Sequence, residues 1–190
     1  MNKFLLSSFF MVISFCTHAQ LERLVLERVD SSSYGITYRV YAAVKSAGDQ
    51  ILVVFGDQLH ELRIESTAPF FQSTVGGALA TQVRKNQLEI VEELRYDSWL
   101  TIGYENNYEN RTKTLGLELT TFEQQGAKIE AHDGAWYCLP TDQQTVADDT
   151  KQILLMQLTT KGHISGTLSL MGRTVSGENF EVRGISFSSH

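Results

Sequence analysis

The chain has 190 residues, with 16 Lys and Arg against 22 Asp and Glu, so its formal net charge is −6 at pH 7. A chain of this length suits one domain whose core is large enough to be stable without cross-links. The mild acidity argues against a nucleic-acid partner and against binding to an anionic membrane surface, because both require clustered Lys and Arg side chains.

The first 19 residues predict a secretory signal peptide. Lys3 precedes an apolar run that ends at Cys16, and the small residues Thr17 and Ala19 follow. The run is too short to span a bilayer core of about 30 Å, so we expect cleavage after Ala19 and a secreted or periplasmic domain over 20–190. A lipoprotein would also place a cysteine at the end of such a run, but the bulky Phe15 before it disfavours that alternative.

Most of the mature sequence alternates apolar and polar residues with the period of two that is typical of half-buried strands. The segment LERLVLERV, from Leu21, predicts a short strand, although its Leu and Glu content also fits one or two helical turns. GITYRVYAAV, from Gly35, alternates more regularly, and SAGDQ then provides Gly48 and Asp49 for a turn before ILVVFGD. We expect these last two strands to form a hairpin.

The middle of the chain predicts one strand, one loop and one helix. LHELRIES continues the strand pattern, and APFFQSTVGGALA predicts a surface loop because it contains Pro69 and the pair Gly76 and Gly77. KNQLEIVEEL, residues 85–94, spaces its apolar residues as a short helix would. At this length the helix needs packing against the sheets to persist.

The second half returns to strands. Turn residues bound six segments rich in β-branched and aromatic residues, namely YDSWLTIG, TLGLELTTF, GAWYCLP, KQILLMQLTT, HISGTLSLMG and NFEVRGISFS. The continuous apolar run from Ile153 to Met156 suits a central strand that is covered on both faces. Together the segments predict an all-β fold, an antiparallel β-sandwich of jelly-roll type with one short helix.

Motifs of known enzymes are absent from the sequence, which contains no GxSxG, HExxH or paired CxxC motif and no GxxxxGK loop. Outside the signal peptide the histidines are not spaced as a pair of zinc ligands on one element; they are His60, His132, His163 and His190. Cys138 would be the single thiol of the mature chain, either a small buried hydrophobe, which we favour, or a reactive group. Glycoside hydrolysis needs two facing carboxylates, and such a pair cannot be chosen among 22 acidic residues.

Calcium is the inorganic cofactor to consider, because it takes several oxygen ligands from loops. The candidate ligands at predicted strand ends are Asp57, Asp97 and Asp133, with Asp142, Asp148 and Asp149 in a later loop. Their spacing does not match an EF-hand. The alternative is that these aspartates accept hydrogen bonds from local backbone N–H groups in turns and caps.

The stretch YENNYEN, residues 104–110, follows a predicted strand and has no strand pattern; we call it the Tyr–Asn loop. A sugar presents an apolar C–H face and a rim of hydroxyls, so it suits an aromatic platform beside amide and carboxylate groups. Trp136 offers a second candidate surface. The alternatives are a solvated polar loop and a Trp136 buried in the core. The candidate ligand-binding residues of the loop are Tyr104, Asn106, Asn107 and Tyr108.

Several motifs give the chain a family likeness. It resembles a secreted domain of uncharacterised function that recurs in extracellular proteins of Bacteroidetes and other environmental bacteria. The resemblance rests on TYRVYAAV, GDQILVVFGD, YDSWLTIG, GAWYCLP and ILLMQLTTKGHISGTLSLMGR, which together span most of the mature chain. It implies secretion and a β-rich fold and brings no active-site residues. Relatives often carry a C-terminal sorting domain, whereas this chain ends at GISFSSH, which favours a periplasmic or released protein.

These patterns favour a non-catalytic binding module for a carbohydrate or another cell-surface polymer. The alternative is a structural or adhesive module of the cell envelope that binds a protein. A glycoside hydrolase is favoured less, because its convergent acidic groups cannot be placed from the sequence.

Overall fold

The computed structural model describes residues 20–189, which form a sandwich of two antiparallel β-sheets. The predicted signal peptide and His190 lie outside the described residues. The strands are β1 (Leu21–Ser32), β2 (Gly35–Val44), β3 (Gln50–Gly56), β4 (Leu62–Ser66), β5 (Trp99–Leu100), β6 (Lys113–Leu115), β7 (Ile129–Ala131), β8 (Gly134–Tyr137), β9 (Gln152–Thr160), β10 (Ile164–Arg173) and β11 (Asn179–Ser188). The helices are α1 (Thr120–Gln125) and four 3-10 turns, Ala80–Gln82, Lys85–Gln87, Glu92–Tyr96 and Gln143–Thr145.

The strands divide into a four-stranded sheet A and a seven-stranded sheet B. Sheet A has the order β1-β2-β9-β5, and sheet B has the order β6-β8-β3-β10-β4-β7, with β11 paired to β10. The predicted all-β sandwich with one short helix is confirmed. None of the helices in residues 20–189 has the length and apolarity needed to cross a bilayer.

The main core lies between the two sheets. In β2, Val40 and Ala42 face this core, whereas Arg39 and Tyr41 project from the opposite face of sheet A, as the alternation predicts. Every residue of β9 after Gln152 is buried, so the prediction of a central strand covered on both faces is confirmed. Sheet A supplies Val40, Ala42 and Leu155 to the core, and sheet B supplies Val54, Ile64, Leu168 and Leu170.

The predicted hairpin between the second and third strands is wrong. β2 pairs with β1 and β9 in sheet A, whereas β3 pairs with β8 and β10 in sheet B. The predicted turn exists but crosses between the sheets, held by the fully buried Asp49. Its carboxylate accepts hydrogen bonds from the backbone N–H of Ser46 at 3.0 Å and of Val175 at 2.9 Å. A hairpin and a crossover both begin with a turn, so the local sequence does not distinguish them.

The helix predicted over residues 85–94 is also wrong. This segment forms two separate 3-10 turns. Of its apolar residues, Leu94 lies within the second 3-10 turn, whereas Leu88 and Val91 lie between the two turns. Spacing over so short a segment is compatible with either helix type.

The α-helix lies instead in TLGLELTTF, which the composition predicts as a strand. Only Lys113–Leu115 pairs as a strand, and α1 begins at Thr120. Phe122 of α1 is fully buried, and Gly126 ends the helix with φ at 64° and its N–H bonded to the carbonyl of Phe122. Burial of one aromatic side chain and a glycine cap outweigh the strand propensity of the threonines.

The segment between β4 and β5, residues 67–98, folds over the outer face of sheet A. It builds there a second apolar group, which we call the outer cluster. As a result YDSWLTIG is not an alternating strand: it pairs only at Trp99–Leu100, and residues 97–102 are all buried. The outer cluster consists of Ala80, Val83, Leu94, Trp99 and Leu154.

Candidate ligand-binding cleft

A cleft of about 660 Å³ opens on the outer face of sheet A, next to the outer cluster. The Tyr–Asn loop forms one wall, together with Lys85. The turn before β9 forms another with Asp148 and Thr150. The floor consists of side chains that project from β1, β2 and β9, namely Glu27, Arg39, Tyr41, Gln152 and Leu154.

Three of the four predicted loop residues line this cleft: Tyr104, Asn106 and Tyr108. The side chain of Tyr108 is exposed, and the Nζ atom of Lys85 lies 4.8 Å from the centre of its ring. The backbone N–H of Tyr108 donates to Oδ1 of Asn106 at 2.9 Å. Tyr104 and Tyr108 therefore border the same space, with Tyr108 exposed and Tyr104 half-buried.

Asn107, the fourth predicted residue, anchors the loop instead of lining the cleft. Its backbone N–H donates to the carbonyl oxygen of Val83 at 2.8 Å. Its Oδ1 accepts the backbone N–H of Lys85 at 3.1 Å. These two hydrogen bonds tie the tip of the Tyr–Asn loop to the segment that covers sheet A.

The ends of the loop are held by Gly103 and Asn110. Gly103 has φ at 85°, and a Cβ atom there would lie 1.9 Å from the carbonyl oxygen of Gln144. Asn110 donates from Nδ2 to the carbonyl oxygen of Tyr104 at 2.9 Å and accepts the N–H of Thr112 at 3.0 Å. The loop is therefore a fixed element of the cleft.

Charged groups divide the outer face into two compartments. Arg39 donates to a carboxylate oxygen of Glu105 at 2.5 Å and to Oε1 of Gln157 at 3.1 Å. A smaller cleft of about 350 Å³ begins on the far side of this ion pair and is lined in part by the same Arg39 and Glu105.

Burial raises the pKa of Tyr41, so its hydroxyl stays protonated at neutral pH and can donate a hydrogen bond.

Asp148, an acid at the rim of the cleft, is held in its ionised form. Its Oδ1 accepts the hydroxyl of Thr150 at 2.5 Å and the backbone N–H of Thr150 at 2.9 Å. These hydrogen bonds lower the pKa of Asp148 below its usual value. A glycosidase acid needs the opposite shift, because it must carry a proton to the leaving group.

Trp136 does not offer the exposed surface considered for it. Its side chain is fully buried in the main core, and its Nε1–H donates to the carbonyl oxygen of Thr101 at 2.8 Å. The alternative of a core residue was the correct one. Trp136 faces inward because strand alternation places Tyr137 on the outer face of sheet B.

The structure does not bring the three predicted calcium ligands together. Asp57 accepts the N–H groups of Leu59 and His60 through Oδ1, each at 2.8 Å, and its other oxygen pairs with Arg183. Asp97 is buried in a separate loop, and Asp133 is exposed before β8. Within residues 20–189 no group of three or more His, Cys, Asp and Glu side chains is arranged to hold a metal ion.

Cys138 is buried in the main core, with its Sγ 3.5 Å from the hydroxyl oxygen of Thr112. Burial raises the pKa of the Cys138 thiol to about 11. A thiol with this pKa is protonated at neutral pH and is a poor nucleophile. The residue has the environment of a small buried hydrophobe.

Several cleft residues carried no sequence signal strong enough to single them out. Arg39 and Tyr41 alternate along β2, which identifies them as one face of a strand, and Glu27 belongs to a segment whose fold was ambiguous. The meeting of that face with the Tyr–Asn loop depends on the path of the chain between them. Comparison with protein-family models, curated proteins and solved structures finds no match to this chain.

Proposed function

We propose that the protein is a secreted or periplasmic non-catalytic module that binds a carbohydrate or another cell-surface polymer in the cleft. The observation that carries this proposal is the convergence of Tyr41, Tyr104 and Tyr108 on one open cleft with hydrogen-bonding side chains between them. Aromatic rings stack on the apolar face of a sugar, and amide, guanidinium and carboxylate groups bind its hydroxyls.

The polar groups of the floor suit hydroxyl recognition. Arg39 supplies N–H donors, Glu27 supplies acceptors, and the amides of Asn106 and Gln152 supply both. The smaller cleft beyond the Arg39–Glu105 ion pair extends the same outer face of sheet A. A chain of several sugar units can therefore lie across both compartments. The signal-like N-terminal sequence and the resemblance to secreted bacterial domains support an extracellular ligand.

A glycan-array screen of the purified chain from residue 20 tests the proposal. We expect selective binding, and we expect Tyr104→Ala combined with Tyr108→Ala to weaken it about tenfold or more, because ring burial contributes roughly 1.5–3 kcal/mol per side chain. Tyr137→Ala is the matched control, since Tyr137 lies on the outer face of sheet B, away from the cleft. A blank array, or equal weakening by the control, would refute the assignment.

Running the same screen in calcium and in chelator tests whether ligand binding requires calcium. Binding that is lost in chelator would indicate that loop aspartates of the protein ligate calcium together with the sugar. Binding that is unchanged would leave Asp57 and Asp97 as acceptors of backbone N–H groups, Asp57 from Leu59 and Asp97 from Ser73.

The second candidate function is an adhesive module that binds a protein. It is favoured by the long edge of sheet A, because the outer side of β1 carries no paired strand within residues 20–189. A partner captured without any sugar, and competed by peptides that form strands, would support this function over glycan binding.

A further inference from the structure

The strand β1 forms one edge of sheet A, and β11 of sheet B runs close to it. The strand β1 hydrogen-bonds with β2 alone among the strands of residues 20–189. Its pairing is shifted between Leu21 and Arg23 and again between Arg28 and Asp30, so the stretch from Arg23 to Arg28 is a regular strand. Such an edge presents unpaired backbone N–H and C=O groups that can pair with another strand.

Three charged side chains of this edge have no ion-pair partner within residues 20–189. Glu22, Arg23 and Arg28 form no salt bridge with any described residue. On the edge strand of sheet B, by contrast, Arg183 of β11 pairs with both Asp57 and Glu181. The charges of Glu22, Arg23 and Arg28 therefore remain available to a partner, whereas Glu27 lies opposite Arg39 of β2 and interacts with the Tyr41 hydroxyl.

The sequence of β1 is complementary to its own reverse, as antiparallel pairing of two copies requires. In ERLVLER, residues 22–28, antiparallel pairing of two copies about Val25 places Arg23 opposite Glu27 of the second copy. It also places Leu24 opposite the second copy's Leu26, and Glu22 opposite its Arg28. Every charged residue then faces the opposite charge, and the apolar residues meet at the centre.

The faces of the strand agree with this pairing. Leu24 and Leu26 pack against the main core, whereas Glu27 projects into the cleft on the outer face. Residues directly opposite in an antiparallel pair lie on the same face, so the leucines stay inside and the Arg23–Glu27 pairs stay outside. Pairing in this register keeps the leucines of both copies on the core side of the sheet, with the exposed Arg28 at the end of the same face.

We propose that the protein forms a twofold homodimer in which the β1 strands of two copies pair antiparallel about Val25. The two four-stranded sheets then become one continuous sheet. The twofold axis is perpendicular to that sheet, so both clefts open on the same side. The dimer interface is isologous, as is usual for homodimers. This proposal is independent of the ligand.

Charge exchange between the two strands tests the register. In Arg23→Glu, both symmetric pairs become Glu against Glu, and in Glu27→Arg both become Arg against Arg. We expect each single variant to raise the dimer dissociation constant about tenfold or more, measured by sedimentation or light scattering. An equimolar mixture of the two single variants should form a heterodimer, and the double variant should recover the homodimer.

Lys113→Glu is the control, because Lys113 is an exposed charge on β6 at the edge of sheet B. It should leave the dimer intact. Arg23 and Glu27 are exposed, so we do not expect either substitution to unfold the protein. Association in the mixture would exclude unfolding as the cause of a weaker dimer, because both partners must be folded to associate.

Three results would overturn the proposal. One is a wild-type protein that stays monomeric up to about 1 mM, which would show that the mixed charges protect the edge from pairing. The others are a dimer that both single variants leave intact and a mixture that fails to associate. No glycan is present in these measurements. A negative result for the dimer is therefore distinguishable from a negative result for the proposed binding function.

Discussion

Asp97 is the buried acid whose environment has the clearest consequence for stability. Its carboxylate accepts the backbone N–H of Ser73 at 2.7 Å and of Gly77 at 3.0 Å, which fixes the turn that begins the cover of sheet A. Burial nevertheless raises the pKa of Asp97 from 3.8 to about 6, and these hydrogen bonds oppose the shift without cancelling it. Folding therefore favours the protonated form of this group.

We expect the Asp97 carboxyl to contribute stability at low pH that is lost as the pH rises through about 6. Relative to Asp97→Asn, the wild-type protein should lose about 2 kcal/mol of unfolding free energy between about pH 4 and pH 7. Urea unfolding of both proteins at several pH values measures this difference. Parallel pH profiles for the two proteins would contradict the prediction.

The Cys138 thiol is predicted to be inert while the protein is folded. Its pKa of about 11, against an ordinary 9.0, lowers the thiolate population, and burial blocks access. Labelling by a disulfide reagent should be at least about 100-fold slower in native buffer than in denaturant. Equal rates in the two conditions would indicate the reactive thiol that the sequence left open.

The Tyr–Asn loop depends as an element on the backbone at Gly103. Gly103→Ala should destabilise the protein by about 1–3 kcal/mol more than Gly177→Ala. Both glycines have positive φ, at 85° and 90°, but a Cβ at Gly103 meets a backbone carbonyl whereas one at Gly177 meets only the side chain of Arg173. Denaturant unfolding of the two variants gives the comparison, and equal losses would mean that the carbonyl contact is relieved at little cost.

At the scale of secondary-structure elements, the positions of the strands were easier to predict than the strands with which they pair. The alternation in β2 and the continuous apolar run in β9 follow from which faces of those strands are buried. The partners of β2 and β3 follow instead from the crossover that Asp49 holds, and nothing local in SAGDQ distinguishes it from a hairpin turn. The position of α1 was likewise decided by the burial of Phe122.

At the scale of the whole molecule, the proposed dimer predicts a difference between polymeric and small ligands. Two clefts on one side of a continuous sheet can hold one long polymer together, which raises its apparent affinity without new contacts. Arg23→Glu should therefore weaken binding to an immobilised polysaccharide about tenfold or more, and weaken binding to a short oligosaccharide much less, because Arg23 faces the cleft residue Glu27 of the second copy but does not itself line the cleft. Surface plasmon resonance with both ligands measures the two affinities. Equal weakening of both would indicate damage to the cleft instead of loss of the second site.

Sequence alone was sufficient for the fold class and for the position of the Tyr–Asn loop. Strand patterning and turn residues are local properties, and YENNYEN departs from them at the end of a predicted strand. Three of its four candidate residues do line the cleft. The fate of Trp136 was open, since a tryptophan in a strand faces the core or the solvent according to a register that one residue can reverse.

Only the tertiary structure decided what the loop faces. Residues 67–98 cover part of sheet A and leave the rest exposed, and that boundary brings Arg39 and Tyr41 of β2 to Tyr104 and Tyr108. These residues are more than 60 positions apart in the sequence. The contact between the loop and β2 depends on long-range packing and on the sheet to which each strand belongs. Neither can be read from the pattern of any single segment.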